Sequence, residues 1–308
     1  MKKEEFYYDS RDEKSKIHAI RWVPDCEPKA ILQIVHGMQE YVDRYDAFAT
    51  WLADRGILVT GEDHLGHGQS CTREDLGYFC KDDPATVVVR DVHRLKKLTE
   101  EQFPGVPVIL MGHSMGSFIT RNYIYTYGTG IKGAIIMGTG SQPGIVLGFG
   151  RFLCNLIGCF HGGDRYKSAF VSNMAFGSYL KRIKNPRTKL DWLSVNEENV
   201  DRYVADDLCG QPFTLNGFHT LFTFISRAQK GKNLKKIPKD LPLLLIAGEE
   251  DPVGNYGESV LNIAETYERL GLTYSERLIP GKRHEILNED NREEVYAILE
   301  EFIGKCCS

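Results

Sequence analysis

The stretch that most restricts how this chain can fold is Val108-Ile109-Leu110-Met111-Gly112-His113-Ser114-Met115-Gly116-Ser117-Phe118-Ile119. Four apolar residues in succession read as a buried strand. From Ser117 onward, with Phe118, Ile119, Tyr123 and Ile124 at helical spacing, the chain reads as an amphipathic helix. Between them, Gly112-His113-Ser114-Met115-Gly116 leaves no room for a loop. A strand turns into a helix this abruptly only if the central residue accepts a positive φ and the flanking positions carry no Cβ where strand and helix nearly touch. Ser114 is therefore expected in a strained conformation, with its hydroxyl lifted out of the sheet. The free N–H groups that open the helix favour negative charge beside it.

At 308 residues the chain can bury a full α/β core and carry an insertion. Its 42% apolar and 26% charged residues are ordinary for a globular protein. A net charge of −4 with no long basic run argues against nucleic acid as a partner. Met1-Lys2-Lys3-Glu4-Glu5 leads into no apolar signal core, and no apolar run reaches transmembrane length. The expectation is a soluble, cytoplasmic protein. The eight cysteines, at 26, 71, 80, 154, 159, 209, 306 and 307, show no zinc-like or C-x-x-C spacing and are expected to be free thiols.

Apolar runs predict further strands at 30–35, 57–60, 131–137, 241–247 and 273–279. Lys16 to Trp22 and Tyr7 to Asp9 suggest an antiparallel hairpin at a sheet edge. Helices are expected near 45–54, 84–103, 256–270 and 291–303, the second opened by Pro84. This alternation implies an α/β class protein with a mostly parallel sheet and helices on both faces. The gap between Met137 and Leu243 far exceeds the ~30 residues of a strand-helix-strand crossover, so something is inserted there. Chemistry in such sheets gathers at the carboxyl ends of the strands.

A serine hydroxyl needs a base. Among nine histidines, His284 stands in the loop Pro280-Gly281-Lys282-Arg283-His284-Glu285, between the last strand and the last helix. His113 adjoins Ser114 but points elsewhere at a tight turn, and His36, His64 and His67 suit packing or hydrogen-bonding roles. The base needs a carboxylate to fix its tautomer. Glu249, Glu250 and Asp251 all follow a buried strand directly. A tetrahedral intermediate also needs main-chain donors, each contributing ~3 kcal/mol in the transition state. The N–H of Met115 is one, and the N–H of Met38, after the strand ending in Val35, is the other.

Four motifs in order carry a resemblance. His36-Gly37-Met38-Gln39-Glu40-Tyr41-Val42-Asp43-Arg44-Tyr45 is similar to H-G-x-G-E-H-x-x-R-Y, and Asp63 to Ser70 to D-x-x-G-H-G-x-S. Gly112 to Gly116 forms the G-x-S-x-G turn, and Gly281 to Glu285 the G-x-x-H-E loop. The chain resembles the α/β-hydrolase superfamily, in its monoacylglycerol lipase, lysophospholipase and serine aminopeptidase-like branch.

The resemblance selects Asp251, before Pro252, as the acid, and implies a core of 1–141 and 214–308 with a cap of 142–213. Gln39 and Tyr41 depart from the family pattern beside the acyl or alcohol pocket and are expected to touch substrate. The near-continuously apolar run from Ile145 to Ile157 reads either as a buried cap helix or as a lid in transient contact with a membrane surface. The expected activity is hydrolysis of a single-chain lipid ester by Ser114, Asp251 and His284, without metal or other cofactor. A small-ester esterase or aminopeptidase with the same triad, and a non-catalytic binding protein of this fold, are the alternatives.

Overall fold

The computed structural model describes residues 1–307. Eight strands form one sheet: β1 (Lys2–Asp9), β2 (Lys16–Val23), β3 (Ala30–Val35), β4 (Ile57–Glu62), β5 (Val108–His113), β6 (Gly133–Met137), β7 (Leu243–Gly248) and β8 (Tyr274–Ile279). Their order is β1-β2-β4-β3-β5-β6-β7-β8. β2 runs antiparallel to β1 and β4, while every other pair is parallel. The sequence-based hairpin thus sits at one edge, as expected. The chain crosses from one side of β3 to the other, because β3 pairs with both β4 and β5. That reversal opens a crevice at the carboxyl ends of the strands, where α/β sheets place their sites.

Strands β3 to β7 are buried at every residue, which their unbroken apolar runs anticipate. One apolar cluster lies between the sheet and helices α2 (Pro84–Gln102), α3 (Met115–Tyr127), α7 (Leu215–Ala228) and α9 (Glu258–Leu270). The other face packs against α1 (Asp46–Ala53) and α10 (Arg292–Cys307).

The long connection from β6 to β7 holds α4 (Gly144–Phe160), α5 (Ala169–Phe176), α6 (Glu197–Ala205), α7 and the short α8 (Gly231–Leu234). The side chain of Thr214 accepts from Gly217 N–H to cap α7, and Asn196 caps α6 through Asn199 N–H. Helix α4 lies on α7 because Gly150 has no Cβ; one built there would stand 2.7 Å from the Phe222 ring. Only Leu147, Gly150 and Cys154 of α4 are buried. Ile145 (88% exposed), Phe149, Phe152 and Phe160 (78%) face outward, so the helix is an open apolar surface and not a buried cap helix. Among the described residues no helix is long and apolar enough to cross a membrane, and all eight cysteines are free thiols.

A polar cluster is enclosed where β1, β4 and α2 meet. The Tyr8 hydroxyl donates to Glu62, and Asp91 accepts from Ser10 Oγ at 2.7 Å and Arg11 N–H at 2.6 Å. Burial, opposed by the Tyr8 bond and assisted by Asp63, pushes the Glu62 carboxyl up to about 8. Burial and the neighbouring Glu62 push Asp91 up to about 8 as well. Each group keeps its proton in the folded chain at pH values where the unfolded chain has lost it. Their contribution is complete below the ordinary carboxyl range and is lost as pH rises toward the folded value. Glu62→Gln, which mimics the protonated form, is expected to gain stability relative to the parent as pH rises from about 5 to about 8. Denaturant unfolding at several pH values reads this difference, and a constant difference would contradict it.

Candidate active site

Ser114 takes φ 55° and ψ −121°, the strained turn that its sequence setting implies. The strain is held by close approach on both sides. A Cβ on Gly112 would lie 2.2 Å from Gly116 O, and one on Gly116 would lie 1.9 Å from Val35 O. Neither position accepts a side chain without moving backbone. Ser114 N–H donates to Met137 O at 3.0 Å, pinning the turn to β6.

His284 stands after β8 and Asp251 after β7, and the structure brings them together: His284 Nδ1 is 2.8 Å from Asp251 Oδ2. A carboxylate only accepts, so Nδ1 carries the hydrogen and Nε2 presents a lone pair. That Nε2 is buried and, among the described residues, has no hydrogen-bond partner. Asp251 is fully enclosed, with its other oxygen accepting from Val253 N–H at 2.8 Å. Gly138, at the end of β6, has φ +58°, and a Cβ there would lie 3.0 Å from the His284 ring. Of the three carboxylates after β7, only Asp251 reaches the histidine ring; Glu249 and Glu250 are exposed.

The loop after β3 packs directly on the serine: a Cβ on Gly37 would be 3.0 Å from Ser114 Cβ. Met38 follows, and Met115 opens α3. Gln39, where the related pattern has glycine, keeps a positive φ of 60°. Its carbonyl accepts from Tyr203 Oη at 2.8 Å and from Gly210 N–H at 3.0 Å, both in the β6–β7 connection. The strained peptide beside Met38 is therefore held from outside. Tyr41 donates to Asp206 Oδ2 at 2.7 Å and packs with Leu193, Tyr203 and Cys209.

Beneath this loop lies a buried ion cluster. Arg44 bonds Glu285 through two contacts of 2.8 Å and Glu40 at 2.7 Å, and its guanidinium stacks 4.7 Å from the Tyr203 ring centre. Glu285 also accepts from Asn199 Nδ2 at 2.7 Å. Burial opposes the charge on Glu40, but hydrogen bonding to His113 and the charge of Arg44 hold its carboxyl far below the ordinary range. Glu285 adjoins His284 in sequence, so one arginine joins the serine-side loop, the histidine loop and α6. This cluster was not read from the sequence, although Glu40 and Arg44 at i, i+4 and the His284-Glu285 pair were visible.

The motif at 63–70 is structural. Asp63 accepts from Val42 N–H, Gln69 N–H and the His18 ring, each at 2.8 Å, and so anchors the far end of the serine-side loop. Burial holds His36 and His64 neutral, at about 3 and about 4.

Over the histidine sits an aromatic lid that the sequence also did not reveal. The Trp192 ring lies 5.2 Å from that of His284, and Tyr179 lies 4.8 Å from Trp192. Their strap is tied down through Arg283, which donates to Asp191 O and Ser194 O, and through Glu289, which accepts from Ser194 Oγ and Val195 N–H. A cavity of about 600 Å³ between α4, α7 and the start of α2 is lined by Lys81, Asn155, His219 and Arg227, and not by Ser114, His284 or Asp251.

Sheet order, the strained serine turn and the histidine–carboxylate pair define an α/β-hydrolase. A family model described as serine aminopeptidase, S33, matches residues 26–291. Monoglyceride lipase from Homo sapiens is 40% identical over 234 residues, which are 75% of this chain and 68% of that protein. Monoacylglycerol lipase from Mycolicibacterium smegmatis is 27% identical over 280 residues, 87% of this chain and 85% of that one. The crystal structure of a highly thermostable carboxyl esterase from Bacillus coagulans in complex with glycerol matches with a TM-score of 0.92 at 28% identity, over 100% of both chains. The chain belongs to the serine aminopeptidase S33 family of α/β-hydrolases.

Tyr203→Phe removes one of the two donors to the Gln39 carbonyl while keeping the ring over Arg44. Loss of one such bond, about 1 kcal/mol, is expected to lower ester turnover about fivefold without changing the unfolding midpoint by more than a few degrees. Steady-state kinetics beside thermal unfolding check this, and unchanged turnover would contradict it.

Proposed function

We propose that the protein is a serine carboxylic-ester hydrolase acting on single-chain lipid esters, with monoacylglycerol as the preferred class and lysophospholipid the close alternative. The observation that carries this reading is the His284–Asp251 bond of 2.8 Å, which leaves His284 Nε2 bare in the site that holds the strained Ser114. The names of the human and mycobacterial relatives support the glyceride substrate.

In this mechanism His284 Nε2 takes the Ser114 proton as Oγ attacks the ester carbonyl. The N–H groups of Met38 and Met115 hold the oxyanion, and Asp251 stabilises the imidazolium. His284 then protonates the leaving alcohol, and water releases the fatty acid from Ser114 by the reverse sequence. Gln39 borders the alcohol, whereas Tyr41, with its hydroxyl on Asp206, shapes the site from behind.

We assign 142–213 as the cap over a core of 1–141 and 214–308. The exposed apolar residues of α4, Ile145, Phe149 and Phe152, suit transient contact with a membrane surface from the cytoplasm. An aminopeptidase would need a free carboxylate to receive the substrate amine. The buried carboxylates beside the site, Glu40 and Glu285, are both paired with Arg44.

Fatty-acid and amine release from monobutyroylglycerol, monooleoylglycerol, oleoyl lysophosphatidylcholine and a prolyl amide tests the assignment. The expected result is a kcat/KM that rises with acyl length, because each buried methylene contributes up to about 0.8 kcal/mol, and no amine release. Amine release alone would overturn the lipid reading.

A further inference from the structure

The contacts between Glu40, Tyr45 and His113 fix how many hydrogens must lie among them. Gly37 N–H donates to Glu40 Oε1 at 2.6 Å, and Tyr45 Oη is 2.9 Å from that same oxygen. His113 Nδ1 stands 3.1 Å from Tyr45 Oη and 3.3 Å from Glu40 Oε1, while Nε2 stands 3.1 Å from the carbonyl oxygen of His284. A carbonyl only accepts, so Nε2 bears a hydrogen. Were Nδ1 bare, the single Tyr45 hydrogen would have to serve both Nδ1 and Glu40. Either choice leaves two acceptors facing each other among buried side chains, an arrangement that buried polar groups avoid. A hydrogen on Nδ1 removes the conflict. Placing it on Glu40 instead is opposed by Arg44 at 2.7 Å and by Gly37 N–H, both of which favour the carboxylate.

The charges lead to the same place. Glu40 and Glu285 are both buried, and among the described residues Arg44 is the one permanent cation paired with them. Two enclosed anions against one cation leave a net buried charge, which is costly; a second cation neutralises the group.

We propose that His113 is a doubly protonated imidazolium and the positioning residue that locks the serine turn to both the oxyanion loop and the base loop. This inference rests on the roles assigned above to Ser114 and His284. Through Glu40 the imidazolium reaches Gly37, next to Met38; through its own backbone it adjoins Ser114; through Nε2–H it holds the main chain of His284. Its ring centre is 4.6 Å from that of His284.

The groups that face His113 are Glu40 from the loop after β3, Tyr45 from the turn before α1, and Glu285 and His284 from the loop after β8, with Arg44 behind Glu40 and Glu285. His36 acts on Glu40 but is itself held neutral by burial. Burial lowers the basicity of His113, but Glu40 and then Glu285 raise it above the ordinary value.

Long-range proton–nitrogen correlation spectra of the full chain with nitrogen-15 histidine, assigned with His113→Gln, read the protonation directly. The expected result at pH 7 is two protonated ring nitrogens on His113; one protonated and one bare nitrogen would overturn the proposal. Because the spectrum reads His113 whether or not the chain cleaves esters, the two readings fail separately. In kinetics with a soluble ester, His113→Gln is expected to lower kcat about tenfold with KM within about twofold. An unchanged kcat in folded protein would overturn the proposal. Glu40→Gln should release the second proton of His113, and its persistence would contradict the charge argument.

Discussion

The rest of this structure depends on how closely helix α3 approaches the sheet below Ser114. Gly116 lies so near the Val35 carbonyl that a single methyl group would displace one or the other. That contact compresses the turn between β5 and α3 until Ser114 adopts a conformation no serine prefers. Strain of this kind persists only where the surroundings over-determine it. Here β5 is central, paired with β3 and β6, and the Ser114 N–H is bonded across to Met137. The same approach brings the loop after β3 against the serine, so Ser114 and its neighbouring main-chain N–H groups are set by one packing event.

The second constraint is electrostatic. Arg44, Glu40 and Glu285 form a buried ion cluster, an arrangement that seldom adds stability over an apolar substitute because desolvation opposes it. Its effect is geometric. Bidentate bonding to Glu285 fixes the residue beside His284, while the bond to Glu40 fixes the residue that holds Gly37. Asn199 and Tyr203 join the same cluster from α6, so the segment above the site is registered against the loops beneath it. Removing Arg44 would leave both Glu40 and Glu285 buried without their shared cation.

How much of this was legible in the sequence follows from the range of each interaction. Strands β3, β5, β6 and β7 were legible because complete burial demands unbroken apolar runs, and the serine turn because glycine at 112 and 116 has a local steric cause. His284 was legible from its place after the last strand, while the choice of Asp251 over Glu249 and Glu250 came only with the family pattern. The ties from Tyr203 and Gly210 to the Gln39 carbonyl were not legible, since a backbone acceptor leaves no mark on the sequence at either end. Gln39 was read only through its side chain, because its departure from glycine suggested a substrate contact. What the structure adds is a main chain kept at positive φ by those two outside donors. Tyr41 was also read as a substrate contact; the bond from its hydroxyl to Asp206, 165 positions away, was not legible. The apolar run of α4 was visible, but which side of it would be covered was not.

The most direct test of the central claim, that folding itself activates Ser114, is covalent labelling of the full chain with a fluorophosphonate, read by intact mass and peptide mapping. The structure predicts one adduct, on Ser114, formed by native protein and lost both after prior unfolding and in Ser114→Ala. Native protein that leaves Ser114 unlabelled, or labels other serines equally, would contradict it.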